Sequence, residues 1–156
     1  MLDWDNLELY RENGRIEAKR AQGGLPESLW ETYSAFANSR GGVILLGVEE
    51  LSDKALHQVE LPDPQMLVSE FLRLAEDTRN ISVNYITESH IKIKQADGLP
   101  IVAIFIPPAP DVLRPIFIGG DMYRGSYRRV GEADIRCTAE EIDAMLQKRS
   151  KDMGVE

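Results

Sequence analysis

One stretch of the chain, residues 25–50, constrains the fold more than any other. Its letters, LPESLWETYSAFANSRGGVILLGVEE, predict a helix, a double-glycine turn, a buried strand and two carboxylates where the strand ends. Gly41 suits the end of the helix, because the residue at that position often needs a positive φ. Apolar residues at helical spacing predict one buried helix face, formed by Leu29, Tyr33, Phe36 and Ala37.

Two apolar runs without alternation predict central strands that are covered on both faces. The first is residues 43–48, and the second is residues 101–106, which three nearby prolines bring to an end. The pair Asp97-Gly98 predicts a hairpin turn before the second run. Shorter segments predict further strands: residues 15–20, 82–87, 90–95, 116–118 and 122–130.

Three further segments predict helices. A short helix is expected over residues 2–12, and a second from Asp63-Pro64, an N-cap and first-turn proline, to about Thr78. Thr138 and Glu141 form a capping-box pattern before the last helix. Helices and strands mix without regular alternation, which predicts an α+β fold. We expect one domain over residues 1–150 and a frayed tail over residues 151–156.

Charge limits the classes of function. The formal net charge is −8 and the pI is near 4.9, so attraction of the whole surface to nucleic acid is unfavourable. The charge is uneven, however: residues 49–97 hold ten acidic and five basic residues, whereas residues 114–136 hold five arginines and three acids. A binding face for an anionic partner should therefore use the arginine-rich segment.

Other classes of protein are excluded by what the sequence lacks. No apolar run approaches the roughly 20 residues that a membrane helix needs, and the acidic N-terminus is unlike a secretory signal. The single cysteine, Cys137, excludes an intrachain disulfide and a cysteine-based zinc site. We therefore expect a cytoplasmic protein without a membrane partner.

Five separated pieces of the sequence together resemble the Schlafen AlbA-like domain family, which is widespread in bacteria. They occur in the family's order over residues 12–142, and the combination of AFANSRGG, LLGV, RVG and EEI is the most specific part. The matching pieces are Glu12 with Glu17-Ala18-Lys19, residues 35–42, residues 44–49, residues 127–131 and residues 138–142.

The resemblance implies a mixed or antiparallel β-sheet with three to four helices packed against it. It also implies a regulatory domain that binds nucleic acid, DNA or RNA, without a cofactor. Some vertebrate Schlafen relatives are RNA endonucleases that use three acidic residues, which match Glu12, Glu17 and either Glu49 or Glu50 here. The chain departs from the family at Ala18, where an aromatic residue is usual, and after Val48, where an aspartate and glycine turn is common.

The first functional hypothesis is a non-catalytic module that binds DNA or RNA through an exposed arginine-rich strand. Guanidinium groups match phosphate oxygens, and Tyr123 or Tyr127 could stack on an unpaired base. The alternative is a solvated strand face with ordinary arginines. The predicted phosphate contacts are Lys19, Arg20, Arg40, Arg124, Arg128, Arg129 and Arg136.

The second hypothesis is a nuclease that depends on Mg²⁺ or Mn²⁺. Glu12, Glu17 and Glu49 would hold the metal, and Lys19 would stabilise the charged transition state. The alternative is that Glu17 and Lys19 form a surface ion pair. A third hypothesis is a protein-interaction or small-ligand module with an acidic surface. Pairing of two copies is compatible with each hypothesis, because a small binding module gains avidity that way.

Overall fold

The fold is built on a four-stranded mixed sheet in the order β1-β2-β6-β5. The computed structural model describes residues 2–154. Strands β1 and β2 pair in parallel, and the other neighbours pair antiparallel. The α+β prediction is therefore confirmed. The strands of this sheet are β1 (Ile16–Lys19), β2 (Gly42–Leu46), β5 (Ile91–Ala96) and β6 (Leu99–Ile106).

Both faces of this sheet are covered, as the unbroken apolar runs predict. In β2, Ile44 and Leu46 join a core beneath the helices, whereas Val43 and Leu45 join a second core on the opposite face. The first core packs against α1 (Ser28–Ala37) and α2 (Pro64–Leu74), and the second packs against a 3-10 helix (Trp4–Leu9). All four apolar residues predicted on α1 are buried: Leu29, Tyr33, Phe36 and Ala37.

The double glycine after α1 lets the helix approach the sheet closely. Gly41 has φ +77°, and a Cβ there would lie 2.6 Å from the carbonyl oxygen of Ile106. A Cβ on Gly42 would lie 2.8 Å from the Phe36 ring. Any side chain at either position would therefore push α1 away from β2.

The predicted strand over residues 43–48 is broken at Gly47, where φ is +85°. The chain changes direction there and forms a separate two-stranded sheet from β3 (Val48–Glu50) and β4 (Leu56–Gln58). The Gly47 N–H donates to the Lys19 carbonyl oxygen at 2.9 Å, which anchors the corner to β1. The two glutamates consequently lie on a new strand and not at the end of β2.

The predicted strand over residues 122–130 is a helix followed by a strand. Asp121 accepts from the Tyr123 N–H at 3.1 Å and caps the short helix α3 (Met122–Gly125). The strand β7 (Tyr127–Val130) then pairs antiparallel with β8 (Ala133–Arg136) in a third, two-stranded sheet. The local capping bond by Asp121 explains why the chain departs from an extended conformation in the first half.

The segment 82–87 contains no strand, so that prediction was wrong. Its backbone N–H groups form no strand ladder: Ser82 donates to the Phe117 carbonyl oxygen at 2.8 Å, whereas Tyr33 Oη accepts from Tyr85 at 3.2 Å and Asn84 Oδ1 accepts from Ile86 at 3.0 Å. The predicted strand over residues 116–118 is reduced to an isolated bridge between Phe117 and Ser126. The hairpin between β5 and β6 at Asp97-Gly98 forms as predicted.

The helix boundaries follow their capping residues. Asp63 accepts from the Met66 N–H at 3.0 Å at the start of α2, which ends at Leu74, before the predicted Thr78. Thr138 and Glu141 form the predicted capping box of α4 (Ala139–Asp152). The predicted frayed tail thus begins inside α4, and residues 155 and 156 lie outside the described residues. No helix in the described range is long and apolar enough to cross a membrane.

Candidate functional site

The motif Asn38-Ser39-Arg40 joins the end of α1 to two distant parts of the chain. Asn38 Nδ2 donates to the carbonyl oxygens of Ile116 and Tyr127 at 2.8 and 3.0 Å, and its Oδ1 accepts from the Ile116 N–H at 2.8 Å. Ser39 Oγ accepts from the Arg129 N–H at 2.9 Å. The end of α1 therefore fixes β7 and residues 116–118. It leaves Arg40 exposed.

Arg129, predicted to contact phosphates, is instead buried inside the fold. Its side chain is 1% exposed, and its guanidinium lies 2.8 Å from Glu17 Oε1 and 2.7 Å from Asp134 Oδ1. It also donates to the carbonyl oxygens of Asn13 and Ile16 and lies 4.9 Å from the centroid of the Phe36 ring. All of these partners lie within the protein, so the guanidinium has a structural role. The prediction that Arg129 contacts phosphate is corrected accordingly.

Most of the other predicted cations already have an acidic partner. Lys19 Nζ lies 3.5 Å from Glu17, and Arg20 lies 3.4 Å from Glu49. Arg128 lies 2.8 Å from Glu141, and the exposed Arg124 lies 3.7 Å from Asp121. Arg136 is exposed and donates to the Tyr127 hydroxyl at 3.4 Å. The predicted arginine-rich strand is thus largely neutralised by neighbouring carboxylates.

The two tyrosines predicted to stack on a base, Tyr123 and Tyr127, differ in their exposure to solvent. Tyr127 is buried, with 8% of its surface exposed, so its ring is not available for stacking. Tyr123 is 50% exposed, and its hydroxyl donates to Asp143 at 2.6 Å. Only Tyr123 of this pair could therefore meet a ligand.

A cleft of about 560 Å³ brings together arginines that are far apart in the sequence. Three of them, Arg15, Arg40 and Arg114, lie around it together with Asn38 and Ser39, and Arg129 lines it as well. No carboxylate lies within 4.0 Å of these three guanidiniums in the part of the chain that the structure describes. We call this site the arginine cleft.

Arg114 holds a position at the inner side of this cleft. One of its terminal nitrogens donates to the Ser39 carbonyl oxygen at 2.9 Å. Its Nε atom is buried and has no hydrogen-bond partner within residues 2–154. A buried guanidinium donor without a partner is costly. Of the three arginines without an acidic partner, the sequence analysis predicted only Arg40 as a phosphate contact.

The predicted carboxylates come together only in part. Glu50, rather than Glu49, lies beside Glu12. Glu12 lies within hydrogen-bonding reach of both Glu17 and Glu50, and its Oε2 accepts from the Ala18 N–H at 3.1 Å. Burial, followed by the hydrogen bond and negative charge of Glu17, raises the pKa of Glu12 to about 8. Glu12 therefore holds its proton more tightly than an ordinary glutamate does. Glu49 points to the other face of β3, where it meets Arg20.

The donor atoms of this cluster do not fit a divalent cation. Glu17 accepts from Arg129 at one oxygen and lies 3.5 Å from Lys19 at the other, so both of its oxygens already face a cation. Across residues 2–154 no group of three or more His, Cys, Asp or Glu residues is arranged to hold a metal ion.

Comparison with known proteins agrees with the geometry of the fold. The model of the Schlafen, AlbA_2 family matches residues 12–138, which is most of the chain. The chain is similar to the solution structure of the N-terminal domain of a RecG-related protein from Nitrosomonas europaea that is named for its relation to ATP-dependent DNA helicases. The two are 30% identical with a TM-score of 0.61, over 88% of this chain and 95% of that domain.

The fold is also similar to that of the DIP2311 protein from Corynebacterium diphtheriae. The sequences are 22% identical and the TM-score is 0.50, over 79% of this chain and 21% of that one. No protein of curated function matches. The family match nevertheless covers the residues that line the arginine cleft, from Gly14 to Arg129. The chain therefore belongs to the Schlafen AlbA_2 family.

Proposed function

We propose that this chain is a nucleic-acid-binding domain that holds backbone phosphates in the arginine cleft. The observation that carries the proposal is the meeting of Arg15, Arg40 and Arg114 around one cleft without an acidic partner among the described residues. Guanidinium groups bind phosphate oxygens through paired N–H donors. Arg136, which is exposed, could extend the contact beyond the cleft.

The comparisons support this class of function. The similar Nitrosomonas europaea domain belongs to a protein named for DNA helicases, and the family match covers the cleft. A domain that brings DNA or RNA to a partner protein needs phosphate contacts but no catalytic group of its own. The arrangement of the arginine cleft satisfies that requirement.

The test is fluorescence anisotropy with labelled DNA and RNA, both single-stranded and double-stranded, in the presence of EDTA. The variant Arg15→Gln/Arg40→Gln should bind at least tenfold more weakly than the parent protein. The magnitude of the slope of its log affinity against log salt concentration should be smaller by about 1.4, since each single-strand phosphate contact contributes about 0.7.

The matched control is Arg79→Gln/Arg124→Gln. It removes the same charge from two exposed arginines that lie outside the cleft, where they pair with Asp77 and Asp121. Its affinity should stay near that of the parent protein. Equal losses in the two double variants would show that net charge alone matters and would count against the cleft.

A metal-dependent endoribonuclease is the second candidate function. The convergence of Glu12, Glu17 and Glu50 favours it, and the pairing of Glu17 with Arg129 and Lys19 opposes it. The assay adds Mn²⁺ to labelled RNA and compares the parent protein with Glu50→Gln. Cleavage that Glu50→Gln abolishes would establish the nuclease, and cleavage that survives the substitution would indicate a contaminant.

A further inference from the structure

A second depression adjoins the arginine cleft and has a different chemical character. It has a volume of about 720 Å³ and is mainly apolar, with three aromatic side chains in its lining: Trp4, Tyr10 and Phe105. Its size is within the range of about 300–1,000 Å³ that is usual for small-molecule sites. We call it the aromatic hollow.

Arg15 lines both the aromatic hollow and the arginine cleft, so the two are neighbours on the surface. Its backbone carbonyl oxygen accepts from the Val43 N–H at 2.9 Å, which fixes the residue between the two sites. A ligand that spans them would meet guanidinium groups on one side of Arg15 and aromatic rings on the other.

The aromatic side chains of the hollow are accessible and fixed. Phe105 is 36% exposed although it lies within the central strand β6. Trp4 and Tyr10 are half-buried, and the Tyr10 hydroxyl accepts from the Asp3 N–H at 2.8 Å, which holds the phenol ring against the 3-10 helix. Fixed aromatic surfaces of this kind bind flat apolar groups without first losing much side-chain entropy.

The charges around the hollow decide which part of a ligand enters it. Asp3, Asp5 and Glu8 are exposed on the 3-10 helix that supplies Trp4. These carboxylates repel phosphate, whereas the free arginines lie on the far side of Arg15. A polyanion would therefore place its phosphates in the cleft and an uncharged, flat part in the hollow.

We propose that the aromatic hollow takes an unpaired base of a single strand whose phosphates lie in the arginine cleft. The ligand class is therefore single-stranded DNA or RNA, because a duplex keeps the faces of its bases stacked and out of reach. This inference rests on the proposed function, and it adds the form of nucleic acid that the site selects.

The first experiment compares three labelled probes of equal length at one moderate salt concentration. They are a single-stranded oligothymidine, the same strand with abasic positions, and a duplex. Oligothymidine should bind at least tenfold more tightly than the abasic strand, which has identical phosphates but nothing to stack, and also more tightly than the duplex. Equal affinity for all three would overturn the inference and leave the arginine cleft in place.

The second experiment removes the stacking surface. Trp4→Ala should weaken oligothymidine binding about tenfold and leave binding of the abasic strand unchanged. The matched control is Leu9→Ala, which removes an exposed apolar side chain from the same 3-10 helix outside the hollow and should change neither. Phe105→Ala provides an independent variant that keeps the 3-10 helix intact. Full affinity in both hollow variants would overturn the inference.

Tryptophan fluorescence gives a direct signal from the hollow. The chain has two tryptophans, and Trp30 is buried against Phe71, with ring centroids 5.4 Å apart. In the variant Trp30→Phe, Trp4 is the sole reporter, and base stacking should quench it in proportion to the bound strand. Quenching by a proline-rich peptide, with no response to any oligonucleotide in either experiment, would overturn both this inference and the proposed function.

Discussion

The buried guanidinium of Arg129 connects parts of the chain that are more than a hundred residues apart. It bridges Glu17 on β1 and Asp134 on β8, and it covers the face of Phe36 on α1. Two carboxylates share this one cation: Glu17 would keep only Lys19, at 3.5 Å, and Asp134 would keep no cationic partner among the described residues if it were removed. The residue that the sequence suggests for ligand contact is thus the centre of an internal network.

Replacing Arg129 by Met should therefore destabilise the protein strongly. Removing one partner of a buried ion pair leaves uncompensated charge and typically costs about 3–5 kcal/mol. The free energy of unfolding in urea measures the loss. Arg124→Met, at a side chain that is 83% exposed, should change it by less than about 0.5 kcal/mol. Similar stabilities for the two variants would contradict the structural role of Arg129.

The raised pKa of Glu12 predicts a stability that depends on pH. Because the pKa of about 8 in the folded protein exceeds the ordinary 4.5, the folded state binds the proton more tightly. The resulting stabilisation is complete below pH 4.5 and is lost as the pH rises through 8. Glu12→Gln keeps the hydrogen-bonding shape without the charge, so its stability should fall less between pH 5 and pH 9.

Urea unfolding of the parent protein and Glu12→Gln at pH 5, 7 and 9 tests this expectation. Glu8→Gln, at an exposed position on the 3-10 helix, is the control and should follow the parent protein. Parallel pH profiles for Glu12→Gln and the parent protein would show that the Glu12 carboxyl is not the titrating group.

At the scale of elements, the contact between α1 and the central sheet depends on the double glycine. Gly41 and Gly119 both have positive φ, +77° and +68°, but only Gly41 is crowded, by the Ile106 carbonyl oxygen and Pro108. Gly119→Ala should cost about 1–2 kcal/mol from backbone strain alone. Gly41→Ala should cost about 1–3 kcal/mol more, because its Cβ overlaps the sheet.

Thermal unfolding of these two alanine variants separates backbone strain from crowding. The difference between their unfolding free energies isolates the steric part, since both variants share the unfavourable φ. Equal losses would mean that α1 can shift away from β2 without penalty and that the close approach is not needed.

Local signals in the sequence predicted the elements whose causes are local. The apolar run of β2, the Asp97-Gly98 hairpin and the Thr138 capping box each depend on residues that are neighbours in sequence. The break at Gly47 and the irregular path of residues 82–87 depend on distant partners, such as the hydroxyl of Tyr33. Nothing within those segments distinguishes them from ordinary strands.

The candidate site likewise combines features with local causes and features that depend on distant parts of the chain. The motif that ends α1 was recognisable from sequence, but Arg15 and Arg114 reach Arg40 only through the tertiary fold. Likewise, the ion pairs that neutralise Arg20 and Arg128 join residues that are distant in the sequence. A list of arginines does not reveal which of them already have partners, so the sequence predicted the class of contact and not its position.

At the scale of the whole molecule, a net charge of −8 and an anion-binding cleft are compatible. The Debye length at physiological ionic strength is about 8 Å, so distant carboxylates are screened from a phosphate in the cleft. The nearest charges then decide the interaction, and in the cleft these are the arginines.

This balance predicts an unusual salt dependence of nucleic-acid affinity. Between about 0.05 and 0.2 M salt, affinity should rise as salt falls, with a slope near −2 for three phosphate contacts. Near 0.01 M the Debye length reaches about 30 Å, so the net negative charge of the protein is felt and the rise should level off. Anisotropy titrations over this range measure the curve. A straight line to the lowest salt would contradict the proposed screening.

The network around Arg129 also determines when, during synthesis of the chain, this part of the fold can form. Its partners lie at Glu17 and Asp134, so the ribosome must synthesise nearly the whole domain before the network can close. The arginine cleft shares Arg129 and Asn38 with that closure. A nascent chain that still lacks β7 and β8 therefore lacks Arg129 and the Tyr127 partner of Asn38, and the proposed phosphate site can form only after both strands are made.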